Sequence, residues 1–348
     1  MERTHRTLTL LFVSAVCVCV VVSSTTNFRM RVTIGPHRAE PGYKATLLAF
    51  GDVNLGRAVG QTLLRLGAGH VFDKMTIDSA DIVFVNLECP LSDQNGETES
   101  PLSNFIFTGP PIGASVLAAA GITHAATANN HAYDYGERAL NETIDLLDRA
   151  NVAHAGTAKQ TAELFEPLCI ERNGIRFALF AVTDFMNLGR EWRRHAASTD
   201  TALLFPKLRE SARWADAVVV SVHGGDEYAE RPSPRMTRFM RQCVDEGAKL
   251  VLGHHPHVPY GIDSLRDGYI VQSLGNFVFF QPQHEWTQAS YGVLFEFFKT
   301  PAGTAIALKR IIPFEVGFQP ARLDTGRVCN RIIARARQYS TISLKQIH

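Results

Sequence analysis

Short apolar runs that stop abruptly at Asp, Asn, Glu or His recur along this chain, and that pattern constrains the fold more than any other feature. Thr46–Phe50 stops at Gly51-Asp52, and Asp81–Leu87 carries Asn86 and runs into Glu88. The segment from Thr123 to Gly136 reads as a short strand, then Asn129-Asn130-His131, then Asp134 and Gly136 before a helix from Glu137. Val218–Val222 stops at His223-Gly224-Gly225, with Asp226-Glu227-Tyr228 following. Lys249–Leu252 stops at Gly253-His254-His255-Pro256-His257, and Tyr269–Leu274 at Gly275-Asn276. Continuous rather than alternating apolarity describes strands covered on both faces. Such strands belong to an α/β architecture, in which ligands bind beyond the carboxyl ends of the strands.

Helices are expected between these strands. Arg57–Leu66, Ile112–Ala120 and Glu137–Ala150 carry helical spacing or composition, and Ser233-Pro234 marks the start of a helix that stops at Gly247. Asn151–Gly156 reads as a strand, and Cys169–Arg172 with Arg176–Val182 as a hairpin about Asn173-Gly174. Val293–Phe298 and Ala305–Ile312 form an antiparallel pair. Residues 94–103 read as loop, and Asn187–Ala202 as loop with a short helix. Beyond Gln319 the chain is Arg-rich and reads as a basic, solvated helix. No repeat interrupts 45–318, which is treated as one domain, with 319–348 a basic tail.

The N-terminus has a different character. Arg3 and Arg6 precede an apolar run from Leu8 to Val22, closed by Ser23-Ser24-Thr25-Thr26. At about 1.5 Å per residue the run spans roughly 22 Å, short of a hydrocarbon core of about 30 Å. Residues 1–26 are therefore expected to be a signal peptide or a short signal anchor, with 27–44 a linker and the main domain extracytoplasmic. The six cysteines show no CxxC spacing, which excludes a zinc knuckle. A net charge of +1 gives no ground for a nucleic-acid partner.

Gathered together, the strand-end residues form a chemical set. Carboxylates, an Asn and several histidines suit Mn, Fe or Zn better than Mg or Ca. Two such ions sharing a carboxylate can activate water and clamp a phosphoryl or acyl oxygen. His131 can serve as an acid, oriented by Asp134 three residues on. Each residue alone has a plainer reading: Asp52 as a helix cap, Glu88 binding backbone amides, a lone His bonded in the core. Their recurrence at strand ends favours a common site.

The ordered blocks GDVNLGR (51–57), NLECPL (86–91), ANNHAYDYG (128–136), HGGDEY (223–228), GHHPHV (253–258) and SLGNFVF (273–279) resemble the CapA family. Its members are poly-γ-glutamate capsule biosynthesis proteins with a calcineurin-like metallophosphoesterase fold. The resemblance implies a four-layer αββα sandwich, two mixed sheets face to face with helices outside. It also implies metal ligands at Asp52, Glu88 (in the place of a bridging Asp), Asn130, His223, His255 and His257, with His131 as acid. Asn86, Glu227, Tyr228 and Asn276 are expected to line the substrate cleft. Two departures stand out: Asn54 where such phosphoesterases carry His, and Asn86-Leu87-Glu88 in place of Gly-Asp-x-x-Asp. One ion, two or none are therefore all compatible with the motif set. The implied function is synthesis or export of an anionic, peptide-like polymer by a metal-dependent hydrolase-type site, with membrane synthase subunits as partners. Three alternatives share the scaffold: a metal-independent epimerase or isomerase, a non-enzymatic polymer-binding subunit, and a generic phosphodiesterase.

Overall fold

A computed structural model describes residues 42–344. The apolar run at Leu8–Val22 and nearly all of the expected linker lie outside the described residues. No helix among the described residues is long and apolar enough to cross a membrane.

In chain order the strands are β1 (Lys44–Val53), β2 (Ile82–Leu87), β3 (Glu99–Ser100), β4 (Ser103–Phe107), β5 (His124–Ala126), β6 (Ala153–Ala155), β7 (Leu168–Arg172), β8 (Ile175–Thr183), β9 (Ala217–His223), β10 (Ala248–His254), β11 (Ile262–Leu265), β12 (Gly268–Val271), β13 (Asn276–Val278), β14 (Ala289–Thr300), β15 (Gly303–Glu315) and β16 (Ala321–Arg322). The helices are α1 (Arg57–Leu66), α2 (Gly113–Ala119), α3 (Gly136–Arg149), α4 (Thr201–Ser211), α5 (Pro234–Asp245) and α6 (Arg327–Tyr339). One sheet has the order β16-β15-β14-β1-β2-β5-β6, with β13 joined to β1; the other has β11-β12-β10-β9-β8-β7.

Residue alternation along the strands builds the layers. Leu47, Phe84, Phe177, Leu179, Val219 and Leu250 share one buried cluster between the two sheets. Their neighbours Leu48, Phe50, Val83 and Val85 point the other way, onto Val59, Leu63, Leu117 and Leu147 of α1, α2 and α3. In the second sheet Val218, Val220 and Val222 pack outward on Leu204 and Leu208 of α4 and Met236 and Cys243 of α5. The central strands are covered on both faces, which is why their sequences are apolar almost throughout. The helix–sheet–sheet–helix order is the one expected.

The central strands β1, β2 and β5 run parallel, as do β8, β9 and β10, so within each set the carboxyl ends share a rim. The strand β1 changes partner just there. Lys44–Ala49 pair with β14, whereas Asp52 and Val53 pair with β13. Two glycines permit the exchange: a Cβ on Gly51 would lie 1.9 Å from the Gly275 carbonyl oxygen. The same approach lets the Asp52 N–H donate to that carbonyl at 2.9 Å.

Three segments depart from expectation. Residues 99–107, read partly as loop, form a hairpin of β3 and β4. After a 3-10 turn at Trp192–Arg194, α4 follows, capped by the Asp200 carboxylate, which accepts from the Ala202 N–H at 2.9 Å. Pro206 inside α4 removes a helical donor and obscures its pattern in the sequence. The Arg-rich tail does form a helix, but not one solvated all round. Ile332, Ile333 and Ala336 of α6 are buried in the inter-sheet cluster, and Arg335 Nε donates to the Pro259 carbonyl at 2.8 Å. Ile332→Ala should therefore destabilise the protein by about 2–5 kcal/mol in urea unfolding; a solvated tail would give a change of a few tenths. No disulfide joins Cys89, Cys169, Cys243 and Cys329.

Candidate metal centre

Hydrogen bonds across the joint rim bring the two sheets' strand ends together. Asn86 Nδ2 donates to Asp52 Oδ1 at 2.8 Å and lies 3.1 Å from His223 Nδ1. His254 Nδ1 is 3.1 Å from Asp52 Oδ1, and the His255 N–H donates to Asp52 Oδ2 at 3.2 Å. His257 Nδ1 lies 3.5 Å from the same oxygen. Burial opposes the charge on Asp52, but hydrogen bonds from His254 and His257 prevail and hold its carboxyl well below the usual range.

Glu88 lies at the centre of the cluster. Its Oε1 is 3.6 Å from both His223 Nε2 and His257 Nε2. Both carboxylate oxygens are buried without a hydrogen-bond partner, as is His255 Nδ1. Burial, then repulsion from Asp52 and Glu227, pushes the Glu88 carboxyl well above its ordinary value. Ligand atoms of Asp52, Glu88 and His223 lie within 4.8 Å of one another, and so do those of Glu88, His255 and His257. The carboxylate common to both groups is the one with nothing else to bind it. That donor set fits one or two divalent ions. Burial also holds two of the imidazoles neutral: His223 titrates well below its usual value, and His255 is lowered to about 3 by burial and His257. Neutral imidazoles need lose no proton to ligate.

His255 and His257 converge differently from expectation. Two histidines two apart on extended chain would share a face, but these have φ of 94° and 59°, in the left-handed region. The chain coils about Pro256 rather than extending, and both rings still reach the Glu88 group.

His131 stands beside the cluster. Its Nδ1 is 2.8 Å from Asp134 Oδ2, which also accepts from the Phe107 N–H at 3.1 Å. Burial raises the Asp134 carboxyl, and the His131 bond only partly offsets this. Asn130 Oδ1 lies 2.7 Å from His223 Nε2, and Asn130 Nδ2 donates to Asn187 Oδ1 at 3.3 Å.

Two residues expected at the substrate are bonded to the candidate ligand side chains. Asn86 and Asn276 are both fully buried. Asn86 binds Asp52 and His223, whereas Asn276 Oδ1 sits 2.9 Å from His257 Nδ1 and its amide donates to Gln281 at 2.9 Å. Tyr228 and Glu227 do reach the rim: Glu227 is exposed, and the Tyr228 ring stacks 5.8 Å from that of His257. Asn54, the departure noted in the first block, accepts from the Gly56 N–H through its Oδ1 at 2.7 Å. Sequence reasoning missed His254, which anchors Asp52, and Asn187, which lies 3.4 Å from His131 Nε2.

Residues 46–281 match the family of bacterial capsule synthesis proteins, PGA_cap. The chain belongs to that family. It is 29% identical over 299 residues to the capsule biosynthesis protein CapA of Bacillus anthracis, covering 83% of this chain and 72% of that one. It is 28% identical over 260 residues to the PGA biosynthesis protein CapA of Bacillus subtilis, covering 73% and 67%. A solved structure from Thermus thermophilus aligns over 72% of the chain and 93% of its own, at 10% identity and a TM-score of 0.38. The resemblance drawn from the six blocks thus holds at the level of family.

Proposed function

We propose that this protein acts outside the cytoplasm, membrane-anchored or secreted, in the synthesis or export of an anionic γ-glutamyl polymer, through a metal-dependent hydrolytic site. The names of the Bacillus relatives support the process. The observation that carries the chemistry is Glu88: buried, unpartnered and common to two ligand groups.

Asp52, Glu88 and His223 would hold one ion, and Glu88, His255 and His257 a second, with the Asn130 carbonyl oxygen close to His223. Bound there, Mn, Fe or Zn supplies Lewis-acid activation of water and of the scissile group. The protein's own groups do the rest. Asn86 and His254 fix the Asp52 carboxylate, and Asn276 fixes the His257 ring. His131, with Nδ1–H donated to Asp134, is left Nε2 for proton delivery to the leaving group. Tyr228 and Glu227 line the approach, where the polymer and membrane synthase subunits would meet the site.

Metal analysis of the purified chain after Mn loading should give one to two ions per chain, and chelation should abolish hydrolysis of a γ-glutamate oligomer. A chain that binds no ion, with polymer output insensitive to loss of Asp52 or Glu88, overturns the reading. That outcome would favour an accessory role, a word printed in the name of a Mycobacterium tuberculosis relative, a probable polyglutamine synthesis accessory protein.

A further inference from the structure

Arg57 has no part in the reading above, yet its surroundings are built with care. Its φ is 51°, in the left-handed region that non-glycine residues enter at a cost and that clusters at ligand sites. The backbone is held there from both sides: the Arg57 N–H donates to the Thr98 carbonyl at 2.8 Å, and Thr98 Oγ1 donates to the Arg57 carbonyl at 2.9 Å. The guanidinium carbon lies 4.4 Å above the Phe107 ring, and that ring lies 4.1 Å from the His131 imidazole. Phe107 also ties its backbone N–H to Asp134. The guanidinium is thereby fixed one aromatic ring away from the proposed acid.

Its donors are mostly unclaimed. Nη2 donates to the Asn104 carbonyl. Nε is buried with no hydrogen-bond partner among the described residues, and the nearest paired carboxylate, Glu99, is 4.0 Å from it and itself 40% exposed. An ion pair at that separation and exposure contributes little. A guanidinium held in a plane by an aromatic face, with donors to spare, is suited to bidentate capture of a carboxylate or another oxyanion.

We infer that Arg57 recognises an anionic group of the substrate beside His131, and so selects γ-glutamyl polymers with free side carboxylates over neutral ones. The inference rests on the proposed site and adds to it the charge that the site reads. A purely structural role, clamping the hairpin of β3 and β4 through Asn104, is the competing account.

Calorimetric titration of the Mn-loaded full chain separates the two. The probes are a γ-glutamate oligomer, its γ-glutamine counterpart, which lacks the carboxylates, and inorganic phosphate. Arg57→Met should weaken the acidic oligomer by about 10–100-fold, and Arg57→Lys, which keeps charge but loses the fork, by less. The neutral oligomer should bind all three proteins alike. Acidic-oligomer affinity within twofold of wild type in Arg57→Met overturns the inference, as does an equal loss for both oligomers, which marks a structural effect. Phosphate binding lost in Arg57→Met, with neither oligomer bound by wild type, keeps the anion site and rejects the polymer. Binding of no probe by wild type rejects the inference outright. Metal content, measured on the same samples, tests the underlying centre separately.

Discussion

Replacing Glu88 by Gln will stabilise the metal-free protein and remove its response to Mn, so the order of unfolding temperatures reverses when metal is added. The first half follows from desolvation. Glu88 is fully buried, lacks any hydrogen-bond partner and faces Asp52 and Glu227. A buried carboxylate without compensation costs several kcal/mol, and an isosteric amide relieves part of it. A gain of about 1–2 kcal/mol is expected for Glu88→Gln in chelator. The second half follows from its place in both ligand groups. Wild type in Mn at about 100 times Kd should gain about 2.7 kcal/mol. Glu88→Gln should gain almost nothing, because both groups lose the carboxylate they share. Thermal unfolding of both proteins, each with chelator and with Mn, reads the crossing directly. If the variant is less stable without metal, the carboxylate is a structural partner in the apo protein, and the view of Glu88 as a waiting ligand fails.

Much of this architecture was legible because burial on two faces leaves an unmistakable trace. Leu47, Leu48, Ala49 and Phe50 are all fully buried, alternating between the inter-sheet layer and the helix-covered layer. An apolar run that then meets Asp52 or His223 has nowhere to place the polar group except at a rim. Less legible were features that local periodicity does not encode. His254 closes β10 opposite His223 in register, so its ring enters the space between the sheets; nothing in His254-His255-Pro256-His257 separates it from its neighbours. The backbone turn that aims His255 and His257 uses left-handed φ values that a period-two argument does not anticipate. Asn187 comes from a segment with no strand pattern, yet its N–H donates to the Asn130 carbonyl at 3.0 Å and pins the loop to the site. In α6 the apolar signal was present at Val328, Ile332, Ile333 and Ala336, but the density of Arg drew attention to charge instead. Asn86 and Asn276 were recognised as site residues, and both are fully buried with side-chain bonds to Asp52, His223 and His257.

Those bonds explain why so polar a rim is compatible with a stable fold. The strand-end amides hold ligand side chains: Asn86 takes Asp52, and Asn276 takes His257. Asn129, buried among them, donates to the Leu87 carbonyl at 2.7 Å and accepts from the His131 N–H at 3.2 Å. Few buried side-chain polar atoms among the described residues remain unpartnered, and those of Glu88 and His255 are gathered where an ion would satisfy them together.

His131→Ala is expected to lower turnover of a γ-glutamate oligomer by about 10²–10⁴-fold while leaving metal content unchanged. His131 belongs to neither ligand group, so its loss removes a proton donor and no ligand. The Asp134 carboxylate would then keep only the Phe107 N–H, and the buried pair it formed would be broken. Some loss of stability is therefore expected alongside, and Asp134→Asn is the companion that separates the effects. The amide keeps the volume and an acceptor for the imidazole but withdraws the negative charge beside it. Its activity should fall less than that of His131→Ala. In cells lacking the native chain, polymer output should follow the same order: wild type, Asp134→Asn, His131→Ala. Full output from His131→Ala, with metal bound, would leave the imidazole without a chemical task and move the centre's role from hydrolysis to binding.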